Sequence, residues 1–436
     1  MRATVELPEA SPQAEAASRE LSRLIASRIR EAGGWIGLDA YMAMALYEPG
    51  LGYYSGGSRK FGAGGDFITA PEICDLFGAC LARQCAQWFA DCPVRVIEFG
   101  AGSGALAVQV LGELQRLGFA HAEYLIIELS GELAARQRER IAAQLPQALP
   151  RVRWLQAWPE RIEGVILANE LLDAMPVRGF ALTGPSADAA ADPLTASQEA
   201  DAEAADTEAC RVLERGVALR PDGDPSAPAF TWALKPADAR FAAMVLERLR
   251  DAGWPSLRLD PGRCHLGELG EQAQAWVREA ARRLARGAML LIDYGYASAE
   301  LHHPQRSRGS LMCHYRHRAH DDPFLLPGLQ DITAHVDFGA IAQAACAQGL
   351  QLLGFTSQAR LLANLGLLEM LAQRHQALAA AGDPLAWPRQ AQAAQMLLSE
   401  AEMGERFKAI ALGRGLSSIP DGFARGDRTL QLEITA

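Results

Sequence analysis

Short apolar runs alternate with amphipathic helical patterns along most of this chain. The runs that are short enough to be buried strands lie at 94–99, 124–128, 152–155, 165–168, 287–296, 350–356 and 407–412. Helical patterns at 105–117 and 132–145 separate the first three of these runs. Strands that alternate with helices in this way favour a parallel sheet with helices on both faces. The hydrophobic pattern therefore predicts an α/β fold.

Other patterns predict additions to this sheet. Helices are expected at 18–32, 39–47, 75–90, 238–252, 267–285 and 341–348, with two more between the last two strands. A glycine- and aromatic-rich stretch at 50–72 is too apolar for a solvated linker and predicts an ordered loop on the main domain. Runs at 177–182, 211–219 and 229–234 predict a small antiparallel extension.

Composition narrows the class of protein. The 436 residues carry a net charge of −10, which argues against a general nucleic-acid binder. Seven acids between 188 and 208 account for most of that charge, so we expect a mobile acidic loop at 184–209. No apolar run reaches the ~18 residues of a membrane span. The first 25 residues contain several acids and lack a signal-peptide pattern. The eight cysteines form no CxxC pair, so neither a zinc site nor a thioredoxin-like motif is indicated. We expect a cytoplasmic protein.

The segment VRVIEFGAGSG at 94–104 indicates a ligand-binding turn. A strand ending near the acid Glu98 leads into Gly100, Gly102 and Gly104, and a helical pattern begins at once. Glycine lets a ligand lie against the backbone, and a helix N-terminus offers free N–H groups. Glu128 closes the next strand, where a carboxylate can take both hydroxyls of a ribose. Because the turn reads GxGxG rather than GxGxxG, the pattern predicts a nucleotide-type ligand without identifying it.

Polar residues also follow the fourth and fifth strands. Asn169, Glu170 and Asp173 come directly after the run at 165–168, and Asp293 ends the run at 287–296. Ligands in open α/β sheets bind at the carboxyl ends of strands, so these residues are candidate functional groups. Asn169, Asp173 or Asp293 could instead cap a turn. The histidines near 314–320 are interleaved with arginines, so we predict no metal site.

Several longer motifs resemble one known family. GYYS, FGAGGDFITAPEI, EFGAGSG, ANELLDAMPV, LLIDYG, PGLQDITAHVDF and EMGERFKAIAL occur in that order between 36 and 413. Together they resemble the MidA family of S-adenosylmethionine-dependent methyltransferases, whose mitochondrial members modify an arginine on a subunit of respiratory complex I. The resemblance implies a Rossmann-like class I methyltransferase sheet, mostly parallel and seven-stranded, with an N-terminal helical and loop cap and with helical and β insertions.

The resemblance also implies a division of the chain and a cofactor site. We expect a flexible lead at 1–17, a cap and lid at 18–74, core segments at 75–180 and 236–300, an antiparallel extension at 181–235, a substrate-side loop at 301–340 and a final core segment with helices at 341–436. S-adenosylmethionine would contact Glu98, Gly100, Gly102, Gly104 and Glu128, with Asp66, Phe67 and Thr69 in a lid above it.

Residue chemistry suggests how an arginine acceptor would be held. Two carboxylates can grip a guanidinium bidentately and leave one nitrogen aimed at an activated methyl. Glu170 and Asp173 are the best candidates for this pair, with Asn169 and His335 as further catalytic candidates, and Asp66 and Asp293 of second rank. The resemblance implies an arginine-bearing protein as the partner, and we expect no nucleic acid and no membrane span.

Other functions stay open on the sequence alone. The chain could be an assembly chaperone with a non-catalytic cofactor site, a small-molecule methyltransferase or, less in keeping with the motifs, an NAD-dependent oxidoreductase. The sequence also leaves the oligomeric state open, with a homodimer as one option.

Overall fold

The computed structural model describes residues 8–56, 69–184, 210–221, 229–254, 259 and 263–432. Its strands are β1 (Trp35–Gly37), β2 (Arg95–Phe99), β3 (Glu123–Ile127), β4 (Val152–Leu155), β5 (Ile162–Asn169), β6 (Arg178–Thr183), β7 (Arg211–Leu219), β8 (Phe230–Pro236), β9 (Cys264–Leu269), β10 (Leu284–Tyr296), β11 (Met312–Tyr315), β12 (Arg318–His320), β13 (Asp331–Thr333), β14 (Val336–Asp337), β15 (Gln351–Ser357) and β16 (Phe407–Arg414).

The helices fall between these strands. They are α1 (Pro12–Glu31), α2 (Leu38–Tyr47), α3 (Ala70–Ile73), α4 (Leu76–Trp88), α5 (Ala105–Arg116), α6 (Gly131–Gln144), α7 (Ala239–Asp251), α8 (Glu271–Arg283), α9 (Ser298–Leu301), α10 (Phe338–Cys346), α11 (Gln358–Asn364), α12 (Leu367–Ala380), α13 (Trp387–Leu398) and α14 (Met403–Arg406). Among the described residues, no helix is both long and apolar enough to cross a membrane.

The main sheet has the order β15-β16-β10-β5-β2-β3-β4, and β14 adds a short pairing with the end of β10. Strands β4, β3, β2, β5 and β10 run parallel to one another. Strand β16 runs antiparallel to both β10 and β15. The prediction of a mostly parallel, seven-stranded α/β sheet is therefore confirmed.

Alternate residues of the central strands enter two different cores. Leu290 of β10 packs in the core that α4, α5 and the C-terminal helices cover, while the next residue, Leu291, packs in the core that α8 and α10 cover. A strand that is buried on both faces needs a continuous apolar run, which is why the pattern at 287–296 is so uniform. The sheet is rigid as a result, and its strand ends are fixed in space.

A second, antiparallel sheet has the order β1-β7-β6-β9, and β8 also pairs with β7. Helices α1 and α2 pack against one part of it, around Ile25, Tyr41 and Val217. The predicted acidic loop lies outside the described residues except for Gly184. A third small sheet, β12-β11-β13, lies within the stretch 301–340 that was expected to be a substrate-side loop.

The prediction of one helix over 267–285 is wrong at its start. Residues 264–269 form β9, which pairs with β6, and the helix begins only at Glu271. Gly267 lies against the ring of Phe180, so that an added Cβ would lie 2.4 Å from its Cζ atom. Tertiary pairing overrode the local helical pattern here.

The predicted flexible lead to residue 17 is also wrong in part, since α1 begins at Pro12. Ser11 caps this helix, its hydroxyl accepting the Ala14 N–H, and Pro12 occupies the first helical position. Four helices, α11 to α14, replace the two predicted between the last strands. Asp238 caps α7, its Oδ1 accepting the Phe241 N–H at 2.8 Å.

Candidate active site

A cavity of about 810 Å³ opens at the carboxyl ends of β2, β3 and β5. Its walls include most of the residues singled out in the sequence: Thr69, Glu98, Gly100, Gly102, Glu128, Asn169, Glu170 and Asp173. Gly104, Asp293 and His335 do not line it, and Asp66 and Phe67 lie outside the described residues. The glycine turn and Glu128 line one part of the cavity, and the Asn169–Asp173 turn lines another. The two turns are in contact, because β2 pairs with β5 and an added Cβ on Gly100 would lie 3.1 Å from Cδ1 of Leu171.

The glycine turn needs its glycines for two different reasons. Gly100, Gly102 and Gly104 have φ values of 69°, 51° and 81°, which favour residues without a Cβ. Gly104 lies at the N-terminus of α5, where an added Cβ would lie 3.3 Å from Cα of Gln137. Gly100 and Gly102 face the cavity with their backbone, whereas Gly104 serves the packing of α5 on α6.

Glu128 is held by two donors at the cavity wall. The Ser130 N–H donates to its Oε1 at 2.8 Å, and Gln137 Nε2 donates to its Oε2 at 3.0 Å. The same Gln137 amide also donates to the Gly102 carbonyl at 3.0 Å, and its Oε1 accepts Trp154 Nε1–H at 2.9 Å. Gln137 thus joins the glycine turn to the acid of the next strand. The sequence analysis missed this residue, because it lies on a helix that gave no site signal.

Glu98 is buried beside this wall. The Tyr124 hydroxyl donates to its Oε2 at 2.7 Å. Burial raises the pKa of Glu98 to about 7, and the hydrogen bond from Tyr124 opposes that rise. Glu98 therefore holds the end of β2 against β3 and carries only part of a charge near neutral pH.

Three aromatic rings flank the same part of the cavity. Phe99 packs against Trp158 and Trp276 with ring centroids 4.5 and 5.0 Å apart, and the two tryptophans lie 5.4 Å from each other. All three line the cavity, together with the exposed Leu129. Such an apolar wall suits the flat face of a nucleobase. Isolated tryptophans gave no signal in the sequence.

The segment that precedes α4 is tied down at the glycine turn. Arg140 of α6 pairs with both carboxylate oxygens of Glu72 and donates to the Ser103 hydroxyl, which itself bonds to Glu72. Gln109 Nε2 donates to the Pro71 carbonyl at 2.6 Å. The described part of the predicted lid, Thr69 to Glu72, is therefore fixed to α5 and α6, and Thr69 and Pro71 line the cavity.

On the turn that follows β5, Glu170 adopts a strained backbone. Its φ of 53° lies in the left-handed region, which is costly for a residue with a Cβ. Its Oε1 accepts the Ala70 N–H at 3.2 Å and the Asn169 amide at 2.9 Å. Its Oε2 is buried and has no hydrogen-bond partner among the described residues. The carboxylate is thus held by one oxygen and offers the other to a ligand.

Asp293 positions this turn from behind. Its Oδ2 accepts the N–H groups of Leu171 and Leu172 at 3.1 and 2.8 Å, and its Oδ1 accepts the Tyr294 N–H at 3.0 Å. Asp293 therefore caps a turn, which was the alternative to direct contact with a ligand. Asp173 follows on the same turn and lines the cavity.

The acids in this part of the cavity are crowded together, and no lysine or arginine of the described residues lines the cavity beside them. Burial raises the pKa of Glu170 to about 8, and hydrogen bonds from Ala70 and Asn169 oppose the rise. Burial also raises the pKa of Asp173, and the nearby Asp293, Asp331 and Glu170 raise it further. Carboxylates in such a site keep a proton until a positive charge arrives.

His335 lies apart from this group. Its ring centroid is 5.3 Å from that of Tyr296, and its backbone N–H donates to Ser310 Oγ at 3.2 Å. Burial lowers its pKa to about 4, and Arg306, Arg406 and Lys408 lower it further. His335 is therefore a neutral side chain outside the cavity walls, which removes the geometric reason for a catalytic role.

The residues in the part of the cavity around the glycine turn fit S-adenosylmethionine. A glycine turn that admits a ligand against its backbone, a carboxylate at the next strand end and an aromatic wall are what the methionine, ribose and adenine parts of that molecule require. Gly100 and Gly102, Glu128, and Trp158 with Trp276 would hold these three parts in that order.

Comparisons with known proteins agree with this fit. A family model described as "Putative S-adenosyl-L-methionine-dependent methyltransferase" matches residues 80–356. A superfamily member from Burkholderia thailandensis, solved bound to S-adenosyl-homocysteine, is 45% identical, with a TM-score of 0.83 over 98% of this chain and 100% of that chain. "Protein arginine methyltransferase NDUFAF7, mitochondrial" is 28% identical in Danio rerio (90% of this chain, 86% of the relative) and 26% identical in Homo sapiens (87% and 80%).

The family model spans more than half of the chain, and the Burkholderia relative spans nearly all of it. The order of the main sheet, the glycine turn and Glu128 are the structural counterparts of that match. The chain belongs to this family and is an S-adenosyl-L-methionine-dependent methyltransferase.

Proposed function

We propose that this enzyme methylates an arginine side chain of a protein substrate. The observation that carries the proposal is the pair of carboxylates Glu170 and Asp173, which line the cavity on the turn beside the glycine turn. The unpartnered Oε2 of Glu170 requires a donor, and a guanidinium supplies donors in a planar fork. The printed names of the curated relatives support the same acceptor.

The chain's own residues perform the binding and the proton transfer in this scheme. When bound, S-adenosylmethionine supplies a methyl group on a sulfonium, which a correctly oriented nitrogen can attack. Glu170 and Asp173 grip the guanidinium, whose positive charge favours the ionised form of both carboxyls. Asn169 keeps Glu170 in place through its amide. Methylation of the nitrogen releases one proton, which the ionised Glu170 can accept.

Two substitutions with a matched control test this assignment. We expect Glu170→Gln and Asp173→Asn each to lower methyl transfer by about 100-fold or more while the Kd for S-adenosylhomocysteine stays unchanged. Glu279→Gln is the control, since this acid pairs with Arg282 and Arg283 outside the cavity. Full activity in both Glu170→Gln and Asp173→Asn would overturn the assignment.

Mass spectrometry of cellular proteins with and without this chain tests the acceptor. One or two added methyl groups at a single arginine, present only with the active chain, support the proposal. On the family resemblance alone, we propose a subunit of respiratory complex I as the substrate. A methylated small molecule instead would refute a protein substrate, and partner binding without any methylation would favour an assembly chaperone. The cytoplasmic location and the homodimer stay predictions.

A further inference from the structure

Three tyrosines from the N-terminal part of the chain form a wall of the cavity. Tyr47 ends α2, and Tyr53 and Tyr54 lie in the loop that follows; all three line the cavity. The rings of Tyr47 and Tyr54 are stacked, with centroids 5.4 Å apart and planes at 21°, and Tyr53 meets Tyr54 edge-on at 5.0 Å. These residues precede the range 80–356 that the family model matches.

A third carboxylate belongs to the same cavity as Glu170 and Asp173. Asp331 begins β13, is buried and lines the cavity, and its Oδ1 accepts the Tyr54 hydroxyl at 2.9 Å. The segment after it is joined to the Glu170–Asp173 turn, because the Ala334 N–H donates to the Asp173 carbonyl at 2.9 Å. The hydroxyl of Tyr54 therefore holds one oxygen of a carboxylate that lines the same cavity as Glu170 and Asp173.

The charges and shapes in this cavity suit one class of group. Glu170, Asp173 and Asp331 line it, and among the described residues no lysine or arginine lines any part of the cavity. A flat cation satisfies all of these features at once: carboxylates take its edge donors, and an aromatic face packs on its plane. A lysine ammonium would satisfy the charge and could also lie over an aromatic face, but it lacks the planar fork of donors that bridges several carboxylates.

We propose that Asp331 and Tyr54 determine acceptor specificity: Asp331 takes one edge of the acceptor guanidinium, Tyr54 positions that carboxylate, and the Tyr47–Tyr54 stack packs on the plane of the cation. This inference rests on the proposed arginine acceptor. It adds residues that lie far from Glu170 and Asp173 in the sequence and assigns the N-terminal part of the chain to substrate selection.

The test compares a charged probe with its neutral isostere. The probes are acetyl-Gly-Arg-Gly-amide and the same peptide with citrulline, and their Kd values are measured by titration of the S-adenosylhomocysteine complex. We expect the wild-type protein to bind the arginine peptide at least about 10-fold more tightly, as charge-assisted hydrogen bonds require. Asp331→Asn should weaken arginine binding about 10-fold and leave citrulline binding unchanged, since asparagine can still accept the Tyr54 hydroxyl.

Tyr54→Phe separates positioning from ring packing. This variant keeps the stacked ring and loses only the hydroxyl, so we expect the Kd and the KM for the arginine peptide to rise about threefold to 10-fold while kcat changes little. Tyr41→Phe is the matched control: Tyr41 is a buried tyrosine whose hydroxyl donates to the Pro323 carbonyl outside the cavity walls. It should leave both peptide affinities unchanged.

Two outcomes overturn the inference in distinguishable ways. If the wild-type protein does not prefer arginine to citrulline, the arginine acceptor is wrong, and the inference is wrong with it. If the wild-type preference is present but survives Asp331→Asn with S-adenosylhomocysteine binding intact, the arginine acceptor stands and only the role of Asp331 is refuted. A Tyr54→Phe variant that behaves like Tyr41→Phe would refute the positioning role of Tyr54.

Discussion

Replacement of Gln137 by leucine removes the connection between the glycine turn and Glu128. Gln137 is fully buried, and its amide makes three hydrogen bonds: to the Gly102 carbonyl, to Glu128 Oε2 and from Trp154 Nε1–H. At about 1 kcal/mol for each net hydrogen bond, the variant should lose about 3 kcal/mol of stability. Leucine has a similar volume, so a cavity adds little to this loss.

The same substitution should weaken cofactor binding. Glu128 keeps the Ser130 N–H but loses its second donor, so its carboxylate is held by one bond instead of two. A hydrogen bond to a charged group contributes about 1.5 kcal/mol or more, which corresponds to about a 10-fold higher Kd. Isothermal titration with S-adenosylhomocysteine measures this change, and denaturant unfolding measures the loss of stability.

A second buried glutamine provides the control. Gln84 of α4 is also fully buried; its Oε1 accepts the Gly422 N–H at 2.8 Å, and its amide donates to Gln87 at 2.7 Å. Gln84 lies outside the cavity walls, so Gln84→Leu should lower stability by about 2 kcal/mol without changing the Kd. If Gln137→Leu is destabilised but binds the cofactor product as tightly as Gln84→Leu, the reasoning about Glu128 is wrong.

Two further predictions follow from the same cavity. Gly102→Asp should abolish calorimetric binding of S-adenosylhomocysteine, because it adds a Cβ and a negative charge at φ 51°; retained binding would show that the turn does not contact the ligand. The pKa of Glu170 rises from 4.5 to about 8 on folding. The contribution of this carboxyl to the stability of the folded state is therefore fully present below pH ~4.5 and is lost progressively as the pH rises to ~8. The Tm of cofactor-free Glu170→Gln, measured relative to that of the wild type, should therefore be higher at about pH 8.5 than at about pH 5.5. An equal Tm difference at the two pH values would contradict the raised pKa.

The local sequence pattern was sufficient to predict the elements that form the candidate cofactor site. The apolar run that forms β2, the three glycines and the helical pattern of α5 are adjacent in the chain, so the strand, turn and helix could be predicted together. The acids Glu128 and Glu170 could be placed at the same edge of the sheet because parallel strands bring their carboxyl ends together. Most of the cavity residues predicted from the sequence do line the cavity for this reason.

Local pattern failed where a distant partner decided the outcome. Residues 267–269 were predicted as the start of a helix, but pairing with β6 makes them part of the strand β9. Asp293 was a candidate ligand contact at a strand end, yet it accepts the N–H groups of a turn more than a hundred positions earlier. His335 was a further catalytic candidate, and packing places its ring beside Tyr294 and Tyr296 rather than in the cavity wall.

The sequence by itself determined the α/β sheet, the glycine turn and the carboxylates at the strand ends, because periodicity, glycine conformation and strand direction are local or follow from chain order. Only the tertiary structure decided that Gln137 joins Gly102 to Glu128, and that Tyr54 meets Asp331 across 277 positions of sequence. Those contacts depend on how separate elements pack against one another, and no spacing along the chain encodes them.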